Sequence, residues 1–178
     1  LDLSSFNTSN VTDMNSMFIR CSSLKTLDLS SFDTSNVTNM SYMFMHASGL
    51  TSLNVSRLNT SNVTNMGWMF YNTKNLTSLD VSHFDTSKVQ KMSYMFTYCS
   101  GLSALELKNF NTQNVRDMEG MFSGCGIKML NLSTFDTGKV TNRKDMLRNT
   151  WGLNTLILGT AWTKTDDDTS LSGSWIRV

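Results

Sequence analysis

Residues 27–52 read Leu27-Asp28-Leu29-Ser30-Ser31-Phe32-Asp33-Thr34-Ser35-Asn36-Val37-Thr38-Asn39-Met40-Ser41-Tyr42-Met43-Phe44-Met45-His46-Ala47-Ser48-Gly49-Leu50-Thr51-Ser52, and near-copies of this stretch recur along the chain. Aligned on its first leucine, the copies begin at Leu1, Leu27, Leu53, Leu79, Leu105, Leu130 and Leu156, so successive copies are 26 residues apart, with one step of 25. A fixed period of this kind marks a repeat architecture, in which each unit leaves an apolar face that only its neighbours can cover. Counted from those leucines, the first six copies are coils one to six.

Two patterns alternate within the unit. Leu24, Leu27 and Leu29 form an L-x-x-L-x-L phrase that returns as Leu50-Leu53-Val55, Leu76-Leu79-Val81 and Leu102-Leu105-Leu107. Its L-x-L part alternates as a strand does, which predicts a short parallel strand per unit. Phe6, Phe32, Phe84, Phe110 and Phe135, with Leu58 in coil three, form a column expected to be a buried spine. Val37, Met40, Phe44 and Ala47, with Met43 on their flank, are spaced as the stripe of an amphipathic helix. Thr34-Ser35-Asn36 would cap the first amides of that helix, and Gly49, Gly101, Gly126 and Gly152 suit its termination. The expected fold class is α/β: a leucine-rich-repeat-like solenoid of about six coils over residues 1–158, each with a short parallel strand and a short helix. Residues 159–178 are expected to be a carboxy-terminal capping segment, with Trp162 and Trp175 laid over the last coil.

Met17-Phe18-x-x-Cys21-x-x-Leu24 and Met95-Phe96-x-x-Cys99-x-x-Leu102 are similar to the signature of the Treponema-type repeats in BspA-like surface proteins. The full unit, S-x-F-x-T-S-x-V-T-x-M-x-x-M-F, resembles the 26-residue repeats of BspA-like leucine-rich repeat proteins from lactobacilli, enterococci and mycoplasmas. The resemblance covers residues 1 to about 158 and implies a bacterial cell-surface protein, secreted and often wall-anchored, that adheres to host matrix, mucus or epithelium. Phe32 stands where an ordinary leucine-rich repeat has its ladder asparagine, and no L-P-x-T-G sorting signal is present.

Charge and composition exclude several classes. Lys+Arg number 15 against Asp+Glu 14, a net charge of +1, so no global field attracts nucleic acid or an anionic membrane. No apolar run approaches the ~18 residues of a membrane span, and no membrane insertion is expected. The chain starts at Leu1 inside a repeat without a signal peptide, which reads as a monomeric fragment of a larger wall-associated protein. The histidines, His46 and His83, lie in unrelated columns, and no nucleophile elbow, H-E-x-x-H or phosphate loop occurs. No enzyme, catalytic residue, metal or cofactor is expected.

Several columns carry chemistry that must be weighed against packing. Met14, Met40, Met66, Met92 and Met118, with Met17, Met43, Met69, Met95, Met121 and Met146, could form a soft-metal array, but their period favours core packing. Cys21, Cys99 and Cys125 share one column; adjacent coils put Cys99 and Cys125 within disulfide reach, while Ala47 and Thr73 in the same column favour buried free thiols. Asp2, Asp28, Asp80 and Glu106 stack as carboxylates that could invite calcium, yet no binding loop accompanies them. Lys139, Arg143, Lys144 and Arg148 gather in coil six, as a sulfated-glycan patch or the polar end of the array. Asp166-Asp167-Asp168 reads as a solvated turn.

The most informative column outside the core is aromatic. Tyr42, Trp68 and Tyr94 stand at one position in consecutive coils, with Tyr71, Tyr98, His46 and Asn72 nearby. They are expected on the exposed side of the helix, as a platform for a sugar face or a protein hot spot, or as rings that shield one another. The candidate ligand-binding residues are thus Tyr42, Trp68, Tyr94, Tyr71 and Tyr98. The expected function is adhesion to host matrix protein, mucin or glycan at the extracellular bacterial surface, with a passive spacer as the alternative.

Overall fold

Aspartate and asparagine recur at three places in the repeat, with Glu106 at one of them in coil five and Lys91 at another in coil four, and the acid or amide oxygen accepts the backbone N–H two residues on. In coil two, Ser30 N–H donates to Asp28 Oδ1 at 2.9 Å, Ser35 to Asp33 at 2.9 Å and Ser41 to Asn39 at 3.1 Å. Coil five repeats the set at Glu106, Asn111 and Asp117. Such side-chain turns offer the backbone an alternative to a helix, and each coil becomes a succession of tight turns. The computed structural model describes residues 1–163.

Among the described residues there are two strands, β1 (Met129–Leu132) and β2 (Thr155–Leu158), paired in parallel with Leu130 opposite Leu156. One further file of parallel bridges runs Asp13, Asn39, Asn65, Lys91, Asp117 and Asn142, one residue from each coil. Among the described residues no helix is long and apolar enough to cross a membrane.

This overturns the expected α/β leucine-rich-repeat-like solenoid with a strand and a helix in every coil. The described residues contain no α-helix, and the L-x-L phrases of coils one to five form no strand. The reason lies in where the amides point. Met40, Tyr42, Phe44 and His46 donate to Asn65, Gly67, Met69 and Tyr71 of the next coil at 2.8–3.0 Å. The alternate amides of Met45 and Ala47 return to Tyr42 and Phe44, each at 3.0 Å. A helix would send all of them four residues back within its own segment. Tyr42 and His46 moreover sit at φ 60° and 58°, in the left-handed region, which breaks a right-handed helix at both places. The 3-4-3 apolar spacing is produced by consecutive turns.

What lies between the turns is a file of like side chains. Phe18, Phe44, Phe70, Phe96 and Phe122 stack nearly parallel, with centroids 5.5–5.8 Å apart. The second phenylalanine column is buried from Phe32 to Phe135, with Leu58 between Phe32 and Phe84, whereas Phe6 in coil one is exposed. The methionines of both columns are buried except Met17, and they pack as core.

Thr34 does not cap a helix. Its hydroxyl donates to Asn59 O at 2.9 Å and accepts Asn59 N–H at 2.7 Å, riveting coil two to coil three. Thr8, Thr86 and Thr112 make the same pair of bonds to Asp33, Asn111 and Asp136. Gly49 and Gly101 lie where a β-carbon would meet backbone oxygens of the preceding coil at 2.2 Å and 2.5 Å, so they serve close approach of coils.

Trp162 is buried beneath Arg143, whose guanidinium carbon is 4.9 Å from the ring centroid. Trp175 and Asp166-Asp167-Asp168 lie outside the described residues.

Candidate functional site

Each coil has two positions in the left-handed region four residues apart. The first column is Ser16, Tyr42, Trp68, Tyr94, Gly120 and Asp145; the second is Arg20, His46, Asn72, Tyr98, Gly124 and Asn149. Glycine or asparagine is the relaxed occupant of such a conformation, and a bulky aromatic there costs about 1–2 kcal/mol. Coils two to four nonetheless carry rings in the first column, and coil five carries glycine in both.

The rings form one connected group. Tyr42 and Trp68 stack with centroids 5.9 Å apart, and Trp68 and Tyr94 at 4.2 Å. Tyr71 lies 4.7 Å from Trp68 and meets Tyr98 edge-on at 5.7 Å. His46 meets Tyr71 at 5.2 Å and shares a 2.8 Å hydrogen bond with Asn72. The structure therefore brings all five sequence-derived site residues together. It does not leave them all exposed: Tyr98 is 45% exposed, whereas Tyr42, Trp68, Tyr71 and Tyr94 are half-buried because their faces cover one another.

The file ends at coil five. Tyr94 and Tyr98 lie over Gly120 and Gly124, where a β-carbon would stand 2.5 Å and 2.4 Å from the respective ring. Beyond them opens a notch of about 320 Å³. Trp68, Tyr71, Tyr94 and Tyr98 form its aromatic side; Asp145, Arg148 and Asn149 of coil six form its polar side, and Gly120 and Ser123 contribute little side chain between. Arg148 Nη1 is 3.3 Å from Asp145 Oδ2.

Glu119 braces this arrangement. It accepts the Tyr94 hydroxyl on Oε1 and Asn142 Nδ2 on Oε2 at 3.0 Å. Those two bonds, in that order, hold its carboxyl below the usual glutamate value. Burial, then the bond to Glu119, pushes the Tyr94 phenol well above its ordinary value. Burial and then the neighbouring Tyr98 raise Tyr71.

Sequence reading missed Gly120, Gly124, Asp145, Asn149 and Glu119 as site residues, and placed Arg148 in the coil-six basic patch. The signal available for the first two was the lapse of each column to glycine in coil five. The other columns weighed in the sequence resolve into structural roles. The turn amide and then the serine hydroxyl two residues on hold the carboxyls of Asp2 and Asp28 below the usual range, and for Asp80 the Ser82 hydroxyl comes first and its amide second. Cys21, Cys99 and Cys125 are free thiols; Cys99 donates to Phe70 O at 3.1 Å, and burial pushes its thiol up to about 12. The coil-six basic patch does not gather: Arg143 is buried, and Lys139 Nζ donates to Asn114 Oδ1 at 2.9 Å. Among the described residues no group of three His, Cys, Asp or Glu side chains is placed to hold a metal ion.

The family described as "Mycoplasma protein of unknown function, DUF285" matches residues 1–80 and again 74–170. The chain belongs to the DUF285 family. No leucine-rich repeat family is identified along it. No curated protein and no solved structure matches the chain. In this DUF285 chain the second family match begins in coil three and runs through coils four to six, so it contains Tyr94, Tyr98 and the polar wall of the notch.

Proposed function

We propose that this chain is a binding module of a bacterial surface protein that adheres to a host glycan, free or carried on mucin or matrix protein, through the notch beyond Tyr94 and Tyr98. The observation that carries this reading is the pairing of an aromatic wall with Asp145, Arg148 and Asn149 across one cavity of about 320 Å³. A sugar has apolar C–H faces that lie on rings and hydroxyls that hydrogen-bond to carboxylate, amide and guanidinium groups. The volume falls at the small end of ligand pockets, which suits one or two sugar rings. Membership of DUF285 and the BspA-like resemblance support a place at the extracellular surface.

The test is a glycan array probed with the 178-residue chain, followed by titration calorimetry on the best ligand. Tyr98→Gly and Asn149→Gly, at exposed left-handed positions whose column carries Gly124 in coil five, should each weaken binding at least tenfold while the melting temperature holds. Unchanged affinity in both variants would exclude the notch. A passive spacer is the second reading, favoured by the threonine rivets, which serve stacking alone. Failure of the chain to bind any glycan or matrix protein saturably would leave the spacer as the better account.

A further inference from the structure

A different flank of the array departs from its own repeat in a concerted way. The position held by Asn36 and Asn62 in coils two and three becomes Lys88, then Asn114, then Lys139. The position held by Thr38 and Thr64 becomes Gln90, then Arg116, then Thr141. In the regular coils both residues tie neighbours together: Asn62 Nδ2 donates to Ser35 O at 2.7 Å, and Thr64 Oγ1 to Thr38 O at 3.2 Å. Lys88 gives up the first of these bonds and donates instead to Asn62 Oδ1 at 2.6 Å, while Gln90 and Arg116 lack the hydroxyl that makes the second. Coil four thus gives up both side-chain bonds and coil five the second alone, Asn114 Nδ2 still donating to Ser87 O at 2.8 Å, and long polar and cationic side chains take their place on one face.

Those side chains converge. Lys88, Gln90, Asn114 and Arg116, with Thr64, line a groove of about 350 Å³. No carboxylate lines it among the described residues. Asp85 is the acid that feels the Lys88 charge, and Asp117 follows Arg116 in sequence. Lys139, bonded to Asn114, continues the basic edge into coil six. Two exposed cations with the Gln90 amide and the second Asn114 amide hydrogen between them supply donors that suit sulfate or carboxylate oxygens, while the Thr64 hydroxyl is committed to Thr38 O. The cleft runs across successive coils, so a polymer with regularly spaced anionic groups engages it better than a lone ion does.

We infer that this groove is a second site, independent of the aromatic notch, that binds the sulfate or carboxylate groups of an anionic polysaccharide through Lys88 and Arg116.

The test uses dextran sulfate, carboxymethyl dextran, neutral dextran and phosphatidylserine vesicles as probes against the 178-residue chain by surface plasmon resonance at about 0.15 M salt. The main variant, Lys88→Asn with Arg116→Thr, returns both positions to the residues of coils two and three, so folding is safeguarded. The comparison variant, Lys25→Gln with Lys74→Gln, removes the same charge from exposed residues outside the groove. The charged polymers should bind saturably and neutral dextran should not. Affinity should fall at least tenfold in the groove variant and less than twofold in the comparison variant. Equal losses in both variants, no binding of either charged polymer, or binding confined to phosphatidylserine vesicles would each overturn the assignment.

Discussion

Tyr94 lies so closely over Gly120 that a β-carbon on the glycine would stand 2.5 Å from Cε1 of the ring and 2.6 Å from Cδ1. Gly120 is also at φ +58°, where an L side chain is strained. Gly120→Ala should therefore lower stability by about 1–3 kcal/mol in urea titration and push Tyr94 out of its place in the notch wall. Gly152→Ala is the matched substitution with room to spare, its nearest neighbour being Gly126 O at 3.7 Å. It should change stability by no more than about 0.5 kcal/mol. Equal effects at the two glycines would show that Tyr94 does not depend on the missing side chain.

Phe70 is fully buried between Phe44 and Phe96, with centroids at 5.5 Å and 5.6 Å. Phe70→Ala removes a ring that belongs to two coil interfaces at once, and the backbone bonds between coils limit collapse around the gap. The expected loss is about 3–5 kcal/mol by chemical denaturation. A loss below about 1 kcal/mol would mean that the phenylalanine file is dispensable and the hydrogen-bond rivets hold the stack.

The register of these rings was legible in the sequence, because Phe44, Phe70 and Phe96 are 26 residues apart and a column of identical apolar residues has few other uses. The local conformation was not legible. Apolar residues three and four apart mark one face of a helix, and consecutive tight turns that each bury one side chain give the same spacing. The feature that separates the two is the left-handed backbone at Tyr42 and His46; tyrosine does not signal it, and a single histidine signals it only weakly. Only coil five writes it plainly, as Gly120 and Gly124. Thr34 misled for a related reason: beside Ser35 and Asn36 it reads as a cap, and its bond to Asn59 spans a separation of 25 residues. The aromatic half of the notch could be read from the column of Tyr42, Trp68 and Tyr94 with Tyr71 and Tyr98 close by in sequence, whereas Asp145, Arg148 and Asn149 come into place only through the stacking of coil six on coil five.

Thr86 tests the rivets. Its hydroxyl donates to Asn111 O at 2.9 Å and accepts Asn111 N–H at 2.8 Å. Thr86→Val keeps the shape and leaves both backbone groups without that partner, which should cost about 1–3 kcal/mol in urea titration. Thr86→Ser keeps the hydroxyl and should recover more than half of the loss. Equal losses in the two variants would assign the effect to the methyl group and not to the bonds.

The bond between Tyr94 and Glu119 sets the pH range of the notch wall. Glu119 has its folded-state pKa below the ordinary value, chiefly because it accepts the Tyr94 hydroxyl and the Asn142 amide. Its contribution is therefore present above the unfolded glutamate value and is lost as pH falls through the lower folded value. Tyr94 shifts the other way: burial and Glu119 favour the protonated phenol, so its contribution is present below the ordinary tyrosine value and is lost only as pH climbs beyond it. The wall should hold constant between these limits. Followed by NMR, the Tyr94 ring resonances should stay fixed from about pH 6 to 9 and move in acid with a midpoint below the ordinary glutamate value. Glu119→Gln keeps an acceptor oxygen and removes the charge, so the acid step should disappear. Persistence of that step in the variant would place the titrating group elsewhere.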